Sequence, residues 1–265
     1  IQTIIAITYY LHSEYKKAMP LLESNYKLIV KYYGAQSPKL LIVLEYLGRF
    51  QIIEGAYKKS LEYLETGLDI ALKSYGPDHP KIMPILLYIG VSHAREGYLK
   101  VAEEFMKKAF KIQMKHYGEN HPSTGTLYMQ LSHLYWEQGR FKDYLEASQK
   151  AHLIYEKCFG ENHPKTIVSL SEVGTAHMEN MDVVNSLDIL QKSLEKIIAY
   201  YGENHIEVAF CYKRLGIIYG RTFQYALSLE YYLKSHRIRK EWFGKGHSIV
   251  ADTYTALGVA YRDNY

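Results

Sequence analysis

One glycine fixes the frame of this chain. It recurs at Gly34, Gly76, Gly118, Gly160, Gly202 and Gly244, a spacing of 42 residues each time without insertion or deletion. An aromatic residue precedes each copy: Tyr33, Tyr75, Tyr117, Phe159, Tyr201 and Phe243. Three residues after it stands His79, His121, His163, His205 or His247, with Ser37 in the first copy. A strict period of this length marks one supersecondary unit, copied and stacked on its neighbours.

Between the glycines the pattern is helical. In the unit spanning 79–118, Pro80 suits the start of a helix, and the residue before a proline is pushed out of the α region. Ile82, Ile85, Leu86 and Ile89 then follow at helical spacing, and Gly97 breaks the run. A second stripe carries Leu99, Ala102, Met106, Ala109 and Ile112, with lysines crowding its end before Gly118. Each unit is therefore expected to be two antiparallel helices of about 15 residues. Small residues recur where helices must approach: Ala6, Gly48, Gly90, Ser132, Gly174, Gly216 and Gly258 in the first helix. Ala18, Ser60, Ala102, Tyr144, Ser186 and Ser228 hold one position of the second, where Tyr144 is the exception. A glycine inside a helix costs about 1 kcal/mol against alanine, so its recurrence implies a packing gain.

The unit Leu131-Ser132, Tyr135, Gly139, Phe141, Ala151 and the linker "YGENHP" at 117–122 resemble the tetratricopeptide repeat. With 42 residues per unit, the chain is most similar to the kinesin light chain and nephrocystin-like type. The resemblance covers the whole chain. It implies an all-α, right-handed superhelical solenoid of antiparallel helix hairpins, with first helices lining a concave face. The expected repeats lie near 1–33, 38–75, 80–117, 122–159, 164–201 and 206–243, with a lone final helix over 248–265, all in one domain. Where kinesin light chains carry paired asparagines, this chain has Glu45-Tyr46, Leu87-Tyr88, Met129-Gln130, Ser171-Glu172 and Lys213-Arg214.

The linker histidines read as turn and cap chemistry rather than as metal ligands. Equivalent positions in stacked hairpins are about 20 Å apart, too far to share an ion. Cys158 and Cys211 occupy different repeat positions and form no CxxC motif, so both are expected as free thiols. No phosphate-binding, zinc-protease or serine-hydrolase motif is present, and His133 with Glu137 is an ordinary pair one helical turn apart. No catalytic residue, metal or cofactor is expected. Net charge is only +4, and the basic run at 234–247 sits at a helix C-terminus, where cations belong. Nucleic acid is not expected as a partner. No run approaches 18 apolar residues, so no membrane insertion is expected either.

Projecting the repeat onto the first helices gives a candidate peptide-binding groove of Arg49, Tyr88, Arg95, Met129, His133, Trp136, Met178, Lys213, Arg214, Ile217 and Arg221. Trp136, Met129 and Met178 are expected to form an apolar patch. Lys213, Arg214 and Arg221 are expected to form a cationic end beyond an acidic middle of Glu137, Glu172 and Glu179. The expected role is a non-catalytic scaffold or adaptor that binds other proteins or peptide segments inside a larger assembly. The alternative is a rigid structural spacer. Ile1, Ile4, Ile5 and Ile7 open the chain and an unpaired helix closes it, so more protein or a partner is expected at both ends. Localisation is expected to be cytoplasmic. A composition rich in Tyr, Lys and Ile, as in AT-rich protist genomes, points to a cilium or the cytoskeleton.

Overall fold

The computed structural model describes residues 2–12 and 14–264; Ile1 and Tyr265, the outer bounds of the expected repeats, lie outside them. The described residues are helical, with no strand, and divide into two compact units, 1–119 and 120–265. The first unit contains α1 (Gln2–Leu11), α2 (Tyr15–Tyr33), α3 (Leu41–Ile53), α4 (Tyr57–Tyr75), α5 (Ile82–Arg95) and α6 (Leu99–Tyr117), with a 3₁₀ turn at Pro38–Leu40. The second contains α7 (Pro122–Glu137), α8 (Phe141–Phe159), α9 (Pro164–Glu179), α10 (Val183–Tyr201), α11 (Ile206–Arg221), α12 (Tyr225–Phe243) and α13 (Ser248–Asn264). Odd-numbered helices α1 to α11 are the first helices of their hairpins, each packing on the even-numbered helix that follows, and α13 packs on α12. This is the all-α helical-repeat architecture that the period predicts.

Two details differ from the sequence reading. The second helices run 19 residues rather than about 15. Each continues until the linker glycine turns it into the left-handed region, as at Gly76 (φ 78°), whose N–H donates to the Leu72 carbonyl. Pro80 lies two residues ahead of α5, which begins at Ile82, whereas Pro122 and Pro164 open α7 and α9 as expected.

The recurring small residues let first and second helices touch. A Cβ on Gly48 would lie 2.6 Å from Leu64 Cγ, and one on Gly174 2.8 Å from Leu190 Cγ. The serines of the second helix use the same closeness. Ser186 Oγ donates to the Gly174 carbonyl at 2.6 Å, and Ser228 Oγ to the Gly216 carbonyl at 2.7 Å. Apolar side chains fill the rest: Ala6, Leu22, Val43 and Leu47 in the first unit, Leu190, Ile197, Leu215 and Ile218 in the second.

Candidate functional site

The linker histidines begin the helices. His79, His121, His163, His205 and His247 each accept, at Nδ1, the backbone N–H two residues on, all at 3.2 Å. Ser37 does the same with its hydroxyl at 3.4 Å. At His121, His163 and His205 the imidazole replaces the usual Ser or Asp of an N-cap and satisfies a backbone donor that the helix cannot, whereas α5 starts three residues past His79 with Lys81 at its cap. The aromatic before the glycine holds the ring in place: His163 stacks on Phe159 at 4.3 Å and His205 on Tyr201 at 4.1 Å. Burial and the nearby Lys165 lower the His163 pKa, which favours the neutral ring that the cap needs. Among the described residues no group of three or more His, Cys, Asp or Glu side chains converges to hold a metal ion. Cys158 is exposed; Cys211 is buried, and burial pushes its thiol up to about 12.

In the first unit, the expected groove residue Arg49 is already occupied. Its guanidinium lies 5.0 Å from the ring centre of Tyr10 and 4.5 Å from those of Tyr46 and Tyr88, and it donates to Glu45 at 3.2 Å. Rings from α1, α3 and α5 thus cage one arginine, so α1 is tied to the next two first helices. Burial pushes the Glu45 carboxyl up despite the attraction of Arg49. Beside this cage a cavity of about 400 Å³ opens between the starts of α3 and α5. Pro38, Leu41, Ile42, Pro84 and Ile85 give it an apolar lining, with Lys39, Lys81 and Glu45 around it. Lys39 Nζ lies 3.4 Å from the Tyr33 ring centre; Lys81 Nζ lies 4.5 Å from that of Tyr75 and donates to its hydroxyl. No part of the sequence reading singled out this cavity. The signal available was a lysine repeated one period apart, at 39 and 81, just after the linker.

In the second unit, the expected cations and anions find one another. Arg214 pairs with Glu172 and donates to Ser171 Oγ at 2.6 Å. Tyr144 donates its hydroxyl to the same carboxylate at 2.6 Å, and His133 Nε2 lies 3.4 Å from it. Burial alone would raise the Glu172 carboxyl, but Arg214, His133 and Tyr144 hold it well below the usual carboxylate range. Arg221 grips Glu179 with both terminal nitrogens, at 3.0 and 3.3 Å, and Trp136 Nε1 donates to Glu179 at 3.3 Å. Lys213 pairs with Asp252. The pairs Glu172–Arg214 and Glu179–Arg221 are each one period apart, so they bridge neighbouring first helices at equivalent positions. Tyr144, the odd member of the small-residue series, is the side chain that reaches Glu172 from below.

These contacts correct the expected groove. Lys213, Arg214 and Arg221 are not a free cationic end; their charges are spent on Asp252, Glu172 and Glu179. Met178 is 2 % exposed and belongs to the core cluster of the second unit, so it forms no surface patch with Trp136, which is 48 % exposed, and Met129. Ile217 is half-buried against that core, and Arg95 is exposed at the end of α5. The basic run at 234–247 is also partly spent: Lys234 pairs with Glu230 and Arg239 is buried against Asp252.

The tetratricopeptide-repeat family model matches residues 124–165 and 209–248. No curated protein matches the sequence. Among solved structures, nearly identical TPR-like repeats of a candidate kinesin light chain from Podosopora anserina superpose with a TM-score of 0.60 at 20 % identity, covering 77 % of this chain and 97 % of that one. A Rap protein complexed with competence and sporulation factor superposes at 0.71 with 10 % identity, covering 98 % and 74 %. The Rap conjugation gene regulator of plasmid pLS20, complexed with the Phr* peptide, does so at 0.70 with 12 % identity, covering 99 % and 72 %. No described helix is long and apolar enough to cross a membrane. The family model covers two of the hairpins, and the remaining helices repeat the same hairpin and linker glycine at the same spacing, so the chain is similar to tetratricopeptide-repeat proteins beyond the matched residues.

Proposed function

We propose that the protein is a non-catalytic interaction module whose first-helix face in unit 1 takes an extended segment of a partner protein. The carrying observation is the cavity between α3 and α5. Its volume of about 400 Å³ and its lining of Leu41, Ile42 and Ile85 suit one large apolar side chain. Lys39 and Lys81 rest on tyrosine rings beside it, free to meet an acidic residue next to that anchor. The fold likeness to a Rap regulator solved with the Phr* peptide supports the same mode. In the second unit Arg214 and Arg221 are engaged by carboxylates of the neighbouring first helix.

A displayed library of ten-residue segments selected against the full chain tests this. Enriched sequences should pair a large apolar residue with a neighbouring Asp or Glu. Enrichment should vanish against Lys39→Glu/Lys81→Glu and against Ile42→Asp. Equal enrichment on wild type and variants, or none at all, rejects the groove and favours the spacer.

A further inference from the structure

The seams between successive hairpins of the second unit follow one plan, with one departure. Where α8 meets α9, His152 Nδ1 lies 3.1 Å from Ser169 Oγ; where α12 meets α13, His236 Nδ1 lies 2.7 Å from Thr253 Oγ1. Both hydroxyls donate onward to a carbonyl one turn back, that of Thr166 at 2.8 Å and of Val250 at 2.7 Å, so each imidazole donates at Nδ1. Beside this clip the α8–α9 seam has Tyr155 and Val168, and the α10–α11 seam has Ile197 and Phe210 at the equivalent positions. At the α12–α13 seam the same two positions hold Arg239 and Asp252, and no other copy of the repeat has a charge at either.

Arg239 is 2 % exposed. Its Nη1 donates to Asp252 at 3.3 Å and to the Ile249 carbonyl at 3.4 Å, and its guanidinium lies 4.8 Å from the Phe210 ring centre. Its Nε meets no hydrogen-bond partner among the described residues. Asp252 is 53 % exposed and also takes Lys213 from α11. A buried guanidinium is therefore balanced by a carboxylate that water and salt can reach. Burial pulls the Arg239 pKa down although Asp252 acts to raise it, so the desolvation is not fully offset. The rest of the seam is apolar, with Val250, Leu257 and Ala260 of α13 buried.

We propose that α13 is an electrostatic latch, which closes on α12 through Asp252 and lifts when the pairs of that carboxylate with Arg239 and Lys213 are screened or lost. Lifting returns the guanidinium to water, a gain that the uncharged α8–α9 seam lacks. It also frees two cations on adjacent helices, which the closed form holds against Asp252.

Hydrogen exchange of the full chain, read separately over α9 and α13, tests the proposal. From about 0.05 to about 1 M NaCl, exchange in α13 should quicken about tenfold or more, and in α9 less than about threefold. Asp252→Asn should quicken α13 about tenfold or more at low salt and leave α9 unchanged. Arg239→Ile/Asp252→Val copies residues of the sister seams; it should slow exchange in α13 about tenfold and remove the salt response. Wild-type α13 whose exchange ignores salt overturns the proposal. So does a double variant in which α13 exchanges as fast as in wild type, which would make its opening ordinary helix fraying.

Discussion

Both units bury an arginine between their first helices, and they neutralise it by different means. Arg49 in the first unit sits among the faces of Tyr10, Tyr46 and Tyr88, with Glu45 as a single close anion. Arg214 in the second is matched by a carboxylate that itself collects Tyr144 and His133. Ring faces tolerate loss of the cation, because they are apolar surfaces that another side chain can fill. A buried carboxylate does not, because it is left charged and desolvated. The first unit is thus a packing solution with an open cavity beside it, and the second an electrostatic one with its charges closed on themselves.

Arg214→Met is expected to cost about 3–5 kcal/mol, since it strands Glu172. Arg49→Met should cost about 1–2 kcal/mol, the flexible side chain replacing the guanidinium against the rings. Chemical denaturation of each variant checks the pair; equal losses would erase the distinction between the units. Trp136 and Trp242, the chain's two tryptophans, both lie in the second unit and give it a selective fluorescence signal.

The next effect in size separates identical residues at one repeat position. Gly48→Ala drives a Cβ to 2.6 Å from Leu64 Cγ and should destabilise by about 1–3 kcal/mol. Gly258→Ala, in α13, meets nothing within 4 Å and should stabilise by up to about 1 kcal/mol through helix propensity. Melting curves of the two variants should move in opposite directions.

Acid separates the units again. The Glu172 carboxyl is held below its ordinary value of 4.5, so its contribution is present above that pH and is lost as the pH falls further. Glu45 is raised, so its contribution is present at low pH and lost as the pH climbs through its folded value. Glu172→Gln should therefore flatten the tryptophan-detected acid unfolding curve below about pH 4.5, whereas Glu45→Gln should leave it unchanged. The smallest expected effect belongs to a linker. His163 is lowered from 6.5, so its cap stabilises above that pH and weakens as the pH drops below it. His163→Asn keeps a capping side chain without the titration, and should reduce the loss of stability between pH 7 and pH 5. A variant with the wild-type pH slope would show that the ring titrates without consequence.

Much of the fold was legible because a repeat states its local rules several times. Six glycines 42 residues apart mark the helix ends, and the residue before Pro122 or Pro164 marks a cap. Tyr144 was visible as the odd member of a small-residue series, but its partner Glu172, 28 residues away, was not. The pairing of the expected cationic end was hidden for a related reason. Projection told which helix face Arg214 and Arg221 occupy, but not that Met178 is buried in the core or how closely the faces of successive first helices approach.

The sequence by itself determined the period, the helical hairpins, the capping histidines and the lack of any catalytic motif. These depend on backbone geometry within one unit, which residue types report directly. The tertiary structure decided which charges remain available, because a cation on a repeat face binds whatever anion the next unit brings within reach. It also decided where a cavity opens, and that Met181 (φ 65°) and Phe223 (φ 61°) stand in a backbone conformation suited to glycine. Those outcomes depend on distances between units of the stack and on φ at single residues, and neither is written in a periodic pattern.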